Sequence, residues 1–110
     1  MIEFLAAHQP GPAAWLLLGA VLFAIGLYGV LTRRNAVGVL MAVELMLNAA
    51  ALNFVVFNRF GAPATADGQI AALFVIAVAA AEAVVGMAIF VAVFRRRGTV
   101  DVNRMEAMRY

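Results

Sequence analysis

The feature that most constrains this chain is an apolar run of about 22 residues, from Ala36 to Phe57, with one charged residue, Glu44, near its middle. As an α-helix the run rises about 33 Å, which is enough to cross the hydrocarbon core of a bilayer. A carboxyl at that depth costs about 2.5–3.5 kcal/mol on insertion scales, so such groups are rare and usually functional. The run therefore predicts a membrane-spanning helix built around one acidic group.

Two further apolar runs flank this one. The first, residues 13–31, contains no charge, and the third, residues 70–94, contains only Glu82. The 110-residue chain has 13% charged residues, whereas about 25% is typical of soluble domains. The sequence therefore predicts an all-α membrane protein of one unit, with three transmembrane helices at about 13–31, 36–57 and 70–94.

The arginines predict how these spans are oriented. Arg33 and Arg34 lie in the short connection between the first two spans, and Arg95–Arg97 follow the third. The loop at the other end, residues 58–69, contains a single arginine. Because cytoplasmic segments carry an excess of positive charge, we expect the N-terminus outside and the C-terminus in the cytoplasm. The polar tail from Gly98 to Tyr110 is expected to lie at the interface or to dock on a partner.

Composition excludes several classes of site. Cysteine is absent, which excludes disulfides, thiolate zinc sites and iron–sulfur clusters. The one histidine, His8, lies outside the apolar runs, so a haem held between facing helices is also excluded. The first twelve residues contain Glu3 and no lysine or arginine, so we do not expect them to form a secretory signal. The net charge of +2 comes from arginines at helix ends and does not indicate binding to nucleic acid.

Small residues predict how the first two spans pack. Gly19 and Gly26 are seven residues apart and share one face of the first helix, with Gly29 one turn further on. Glycines let helix backbones approach closely in lipid, so we interpret this face as a packing seam. The general frequency of glycine in membrane helices explains the same pattern equally well.

The two isolated glutamates carry the chemistry of the sequence. A carboxyl away from water resists losing its proton, and a nearby cation restores its charged form, so such a group can serve in a proton relay. Helix counting puts Glu44 and Glu82 within about 6 Å of each other in depth, which favours a lateral path within the membrane plane. The alternative is a hydrogen bond from a permanently neutral side chain, worth about 0.6 kcal/mol. We favour a relay because each glutamate is the sole charge of its span.

Amides in the second span extend the polar pattern. Asn48 lies one turn beyond Glu44, and with Met41 these residues form one face that we expect to be turned away from lipid. Asn53 lies roughly opposite Glu44 and is interpreted as packing between helices. Two carboxyls on three helices, with no lysine and no redox centre, do not make a complete proton path. The chain is therefore expected to be a small subunit of a larger membrane assembly.

Two segments resemble a known family. NAVGVLMAVELMLNAAALNFV (residues 35–55) and IAVAAAEAVVGMAI (residues 76–89), with the arginines and TVDVNRM that follow, are similar to subunit K of bacterial NADH:quinone oxidoreductase, complex I. The resemblance implies a three-helix subunit of the proton-pumping membrane arm, between the quinone-side and antiporter-like subunits, in the bacterial inner membrane. It implies that Glu44 and Glu82 are the family's intramembrane glutamates, and that Arg33 and Arg34 form its short basic loop.

The resemblance also implies what this chain lacks. It would be a non-catalytic subunit, because NADH, flavin, iron–sulfur clusters and quinone are bound elsewhere in the complex. Its expected partners are other membrane-arm subunits and the lipid bilayer. Two alternatives remain, namely the small subunit of a multisubunit cation/proton antiporter and a purely structural assembly subunit. The segment from Met1 to Pro12 is longer than the family leads us to expect.

Overall fold

The computed structural model describes residues 1–98 and 101–105. In these residues the regular secondary structure is entirely α-helical. The rest of the C-terminal tail, which we expected to be interfacial or docked, lies outside the described residues. In chain order the helices are α1 (Ile2–Ala7), α2 (Pro12–Thr32), α3 (Ala36–Gly61), α4 (Asp67–Arg97) and α5 (Val102–Met105).

Three of these helices are long and apolar enough to cross a membrane: α2 with 21 residues, α3 with 26 and α4 with 31. The all-α class with three transmembrane helices is thereby confirmed. Pro12 begins α2, where its missing N–H costs no hydrogen bond. Asn35 caps α3, since its side-chain oxygen accepts hydrogen bonds from Val37 N and Gly38 N. Gly98 ends α4 with a positive φ of 69°, a conformation that glycine adopts without strain.

The helix α3 is the middle of the fold, with α2 packed on one side and α4 on another. The seam between α2 and α3 is built on glycine, as the sequence predicted. Gly19 and Gly26 are buried, and a Cβ atom on Gly29 would stand 2.8 Å from the Ala42 Cβ. Because these positions lack side chains, the two backbones approach closely and gain dispersion contacts along the seam.

The register between α3 and α4 is fixed by contacts near both ends. A Cβ on Gly86 would stand 3.5 Å from the Leu40 side chain, and the Asn58 side chain binds the Gly68 backbone. Four residues on from Leu40 is Glu44, and four residues back from Gly86 is Glu82. Since the helices are antiparallel, positions 44 and 82 lie at the same level. The expected offset of about 6 Å disappears because α4 extends past the first turn of α3.

The connection between α3 and α4 is only five residues long, Ala62–Ala66, and is shorter than the predicted loop at 58–69. The buried side chain of Asn58 holds this connection in place. The amide nitrogen donates to Ala62 O at 2.8 Å and to Thr65 O at 2.9 Å. The amide oxygen accepts from the first turn of α4. One side chain therefore satisfies backbone groups on both sides of the turn.

The C-terminal segment returns to the connection between α2 and α3. Val102 N donates a 2.9 Å hydrogen bond to Arg34 O, and Asn35 and Asp101 form an isolated antiparallel bridge. Asp101 also accepts from Asn103 N at 2.9 Å, which caps the short helix α5. The tail segment thus docks on the chain's own basic connection.

The chain has little interior of its own. The buried apolar residues in the described part are six alanines and one valine, Val56, along α3 and α4, and no large side chain there is fully buried. Many large apolar side chains are exposed instead, for example Phe74 at 70% and Val84 at 71%. Exposed apolar surface on this scale requires lipid or other membrane subunits to cover it.

Candidate functional site

Glu44 lies in the middle of α3, the helix that is flanked on two sides. The residue is partly buried, and its Oε1 atom is inaccessible to solvent and has no hydrogen-bond partner among the described residues. A buried oxygen without a partner is costly in a protein interior, so natural proteins keep few of them. The oxygen is therefore available to a water molecule or to a group from another subunit.

Glu82 lies on a surface of α4 that the rest of the chain leaves uncovered. It is exposed in the single chain and lines a shallow cavity of about 410 Å³ with Ala81, Val85, Gly86 and Ile89. The small residues Ala81 and Gly86 leave room on this surface for a neighbouring helix or for water. A charged group exposed to hydrocarbon is energetically costly. We therefore expect a polar neighbour at this cavity.

The two glutamates thus share a level and differ in environment. The register places Glu44 and Glu82 at the same depth, one partly enclosed and the other open to the surroundings of the chain. This arrangement suits a lateral step between an inner carboxyl and a neighbour beyond the outer one. It does not provide a path from one membrane surface to the other.

The supporting amides divide between two surfaces. Asn48 and Met41 are exposed, so neither α2 nor α4 covers the face that they share near Glu44. That this face is turned away from lipid stays a prediction, and it requires another subunit. Asn53 packs against α2, because a Cβ on Gly19 would stand 2.7 Å from its Oδ1 atom. That oxygen is buried and has no hydrogen-bond partner in the described part of the chain.

The two arginines of the connection between α2 and α3 are both exposed. The aliphatic stem of Arg33 lies over Gly38, whose missing side chain leaves the space that the stem occupies. Arg34 is held through its backbone by the hydrogen bond from Val102. The structure therefore keeps this connection apart from the glutamates, near one end of the helices.

No group of three histidine, aspartate or glutamate side chains within residues 1–98 and 101–105 could hold a metal ion.

The residue that the sequence analysis missed is Asn58, which the apolar pattern assigns to a loop. Its position, an amide directly ahead of the glycine- and proline-containing segment, is the signal that could have identified it, since asparagine favours caps and turns.

Comparison with known proteins identifies the family. Residues 14–110 match the family described as NADH-ubiquinone/plastoquinone oxidoreductase chain 4L. The chain belongs to this chain 4L family. NADH-quinone oxidoreductase subunit K 1 of Syntrophobacter fumaroxidans is 54% identical over 86% of this chain and 93% of its own length. Subunit K of Bacillus anthracis is 54% identical over 88% of this chain and 93% of its own length.

A third relative, NADH-quinone oxidoreductase subunit K of Geobacillus kaustophilus, is 51% identical over 89% of this chain and 97% of its own length. The family recognised from the two sequence segments is therefore confirmed. The names of these chain 4L relatives favour an oxidoreductase subunit over the antiporter alternative. The match begins at residue 14, so α1 and the residues before α2 precede the matched region.

Proposed function

We propose that this chain is subunit K of a proton-pumping NADH-quinone oxidoreductase and that Glu44 and Glu82 relay protons within its membrane arm. The observation that supports the relay is the contrast between the glutamates. Glu44 keeps a buried oxygen without a partner, and Glu82, at the same level, is open to a neighbour. A group that gains and loses a proton needs unsatisfied hydrogen-bonding capacity, and a relay needs its next member within reach.

In this proposal a proton moves between Glu44 and Glu82 laterally, through water or a polar side chain, and continues to a group on a neighbouring subunit at the Glu82 cavity. Asn48 presents its amide on the exposed face next to Glu44 and orients water or a partner there. Arg33 and Arg34 act at the cytoplasmic end, where the chain contacts the rest of the complex. The energy comes from quinone reduction in other subunits, which transmit it through changes in the surroundings of the two carboxyls.

The rest of the assignment follows from the same family. The chain is a non-catalytic subunit of a translocase, and NADH, flavin, iron–sulfur clusters and quinone are bound by other subunits. Its partners are the quinone-side and antiporter-like subunits of the membrane arm. We place it in the bacterial inner membrane with the N-terminus outside and the C-terminus in the cytoplasm, because Arg33, Arg34 and Arg95–Arg97 mark one side as cytoplasmic.

The test is proton pumping by assembled complex that carries Glu44→Gln or Glu82→Gln. Each change keeps the size of the side chain and removes its exchangeable carboxyl proton. We expect NADH-driven proton uptake into inverted vesicles to be lost or strongly reduced in both variants, while the complex still assembles. Glu3→Gln, at an exposed glutamate of α1 outside the spans, is the matched control and should pump normally.

Two other results would contradict the relay. Normal pumping per NADH oxidised in both variants would mean that the carboxyls are not needed. Failure to assemble in either variant, with Glu3→Gln unaffected, would favour the structural alternative, in which the glutamates hold subunits together.

A further inference from the structure

A groove lies between the beginning of α2 and the end of α3, away from both glutamates. Its volume is about 480 Å³. Gln9 and Pro10 from the segment before α2 form one edge, and Trp15 from the first turns of α2 forms another. The first two of these residues precede the region matched by the chain 4L family. The groove therefore depends partly on a segment that the family match does not include.

The floor of the groove is one continuous stripe of α3. Leu52, Val55 and Val56 line its inner part, and Arg59 and Phe60 line its outer part. These positions follow the spacing of a single helix face. The stripe from Leu52 to Arg59 runs about 10 Å along the helix, from apolar side chains to a cation. Such a gradient suits a ligand with an apolar tail and an anionic head.

Among the described residues, the cation at the outer end has no carboxylate partner. Arg59 is exposed, and within residues 1–98 and 101–105 it forms no salt bridge. Its guanidinium lies 5.9 Å from the centre of the Phe60 ring, at the edge of the groove. Guanidinium groups bind phosphate oxygens with two parallel hydrogen bonds, so Arg59 can bind a phosphodiester at this position.

The surroundings of the groove are those of a membrane interface. Trp15 and Phe60 are aromatic residues near the ends of spanning helices, and tryptophan is enriched at the level of lipid headgroups. Helix α1, which ends just before Gln9, exposes Ile2 at 84% and Phe4 at 62%, an apolar surface that needs lipid or another subunit beside it. These aromatic and apolar side chains suit a groove at the level of the lipid headgroups.

We propose that this groove binds an anionic phospholipid, with the phosphate at Arg59 and part of one acyl chain along Leu52, Val55 and Val56. The unpaired positive charge of Arg59 favours an anionic over a zwitterionic headgroup. Gln9 contributes an amide at the edge of the headgroup site, and Trp15 packs against the glycerol and upper acyl region. This site is independent of the proposed proton relay.

The test uses the intact complex in phosphatidylethanolamine vesicles doped with phosphatidylglycerol that carries a photoactivatable diazirine in one acyl chain. We expect adducts on this chain at residues 52–60 and at Trp15. In Arg59→Gln the yield of these adducts should fall about fivefold, the effect expected for one basic group at an anionic surface. Arg59→Lys should retain most of the labelling. Arg95→Gln changes an exposed arginine near the C-terminal end of α4, away from the groove, and should retain all of the labelling.

Three results would overturn the proposal. The first is wild-type complex without adducts in the groove, a measurement that needs no variant and so does not depend on folding. The second is equal labelling by phosphatidylcholine with the same diazirine, which would remove the role of the anionic headgroup. The third is an adduct between a photoreactive residue at Val55 and another subunit, which would show that a protein helix fills the groove.

Discussion

Asn58, near the end of α3, holds Gly68 in the first turn of α4 through a 2.8 Å hydrogen bond from the glycine N–H to the side-chain Oδ1. A Cβ on Gly68 would clash with the Phe54 carbonyl and with the Asn58 side chain. The amide can reach the start of α4 only because the residue facing it has no side chain. This pair closes the turn end of the α3–α4 hairpin and sets the register that brings the two glutamates level.

Asn58→Ala should therefore destabilise the hairpin. The change removes the partner of Thr65 O and of the N–H groups of Gly68 and Gln69, whereas Ala62 O keeps its hydrogen bonds from Thr65 N and Oγ1. Water at the membrane surface replaces some of these bonds, so we expect a loss of about 1–3 kcal/mol. The measurement is the thermal stability of the purified complex.

Two variants sharpen this test. Asn58→Asp keeps the acceptor for Gly68 N and Gln69 N but places a carboxylate oxygen against the carbonyl oxygens of Ala62 and Thr65, so its loss should be at least as large as that of Asn58→Ala. Gln69→Ala keeps the backbone N–H that binds Asn58 and should have little effect. If Asn58→Ala were as stable as Gln69→Ala, the amide would not organise the turn.

Gly26→Ala should weaken the contact between α2 and α3. A Cβ at this position would stand 2.8 Å from the Ala42 carbonyl oxygen, which is a backbone atom and cannot rotate away. The helices must separate, and overpacking of this kind costs about 1–3 kcal/mol. The expected result is a lower melting temperature and less of this chain in the purified complex.

The matched control for this change is Gly61→Ala, since a Cβ on Gly61 would meet nothing within 4 Å. It should leave stability unchanged or raise it slightly through the higher helix propensity of alanine. Equal stability of the two variants would mean that the glycine seam is not tightly packed in the complex.

The spans were predictable because apolar runs of this length have one favourable arrangement in a membrane. The glycine seam was predictable for a similar reason, since Gly19 and Gly26 recur on one face. Asn58 was missed because its partners are backbone groups across a turn, and the apolar pattern does not indicate how far a helix continues past the hydrocarbon core. The hydrogen bond from Val102 N to Arg34 O could not be predicted either, because it joins segments far apart in sequence.

The surroundings of Glu44 and Glu82 were the least predictable part of the candidate site. Spacing identified Glu44 and Glu82 as isolated charges, but it did not indicate that one would be partly enclosed and the other open. That difference depends on the rotation of α3 and α4 about their axes, which is set by contacts such as Leu40 against Gly86. The face formed by Asn48 and Met41 depends further on neighbouring subunits.

Glu44→Leu should separate stability from function. The leucine replaces a buried oxygen that has no partner in the described chain, and replacing such a group with an apolar one is often neutral or stabilising. We expect the purified complex to melt at or above the wild-type temperature and, on the proposed function, to lose proton pumping. Glu44→Gln should show no gain in stability, because its amide also lacks a partner. A clear drop in the melting temperature of Glu44→Leu would instead indicate that another subunit binds the carboxyl.

Val102→Pro should release the tail from the basic connection. Proline removes the N–H that binds Arg34 O, but it is tolerated at the first position of a helix, so α5 should persist. We expect faster tryptic cleavage after Arg33 or Arg34 in vesicles that expose the cytoplasmic side. Val102→Ala keeps the N–H and should be cleaved at the wild-type rate. Equal rates for proline and alanine would mean that this hydrogen bond does not protect the connection.

The proposed orientation can be tested with reporters fused after Tyr110. A reporter that is active only in the cytoplasm should be active there, and one that needs export should be inactive, because Arg33, Arg34 and Arg95–Arg97 mark the same side as cytoplasmic. A cysteine introduced at Thr65, in the short turn between α3 and α4, should react with an impermeant reagent added from outside. The opposite pattern in both experiments would invert the topology.

The absence of fully buried large side chains from the described helices has a consequence for biogenesis. A newly inserted copy presents aromatic and branched side chains, together with Glu82 near the middle of α4, directly to lipid. We therefore expect membrane proteases to degrade unassembled copies, which should be short-lived. Cellular abundance of this chain would then be set by the supply of its docking partners rather than by its own rate of synthesis.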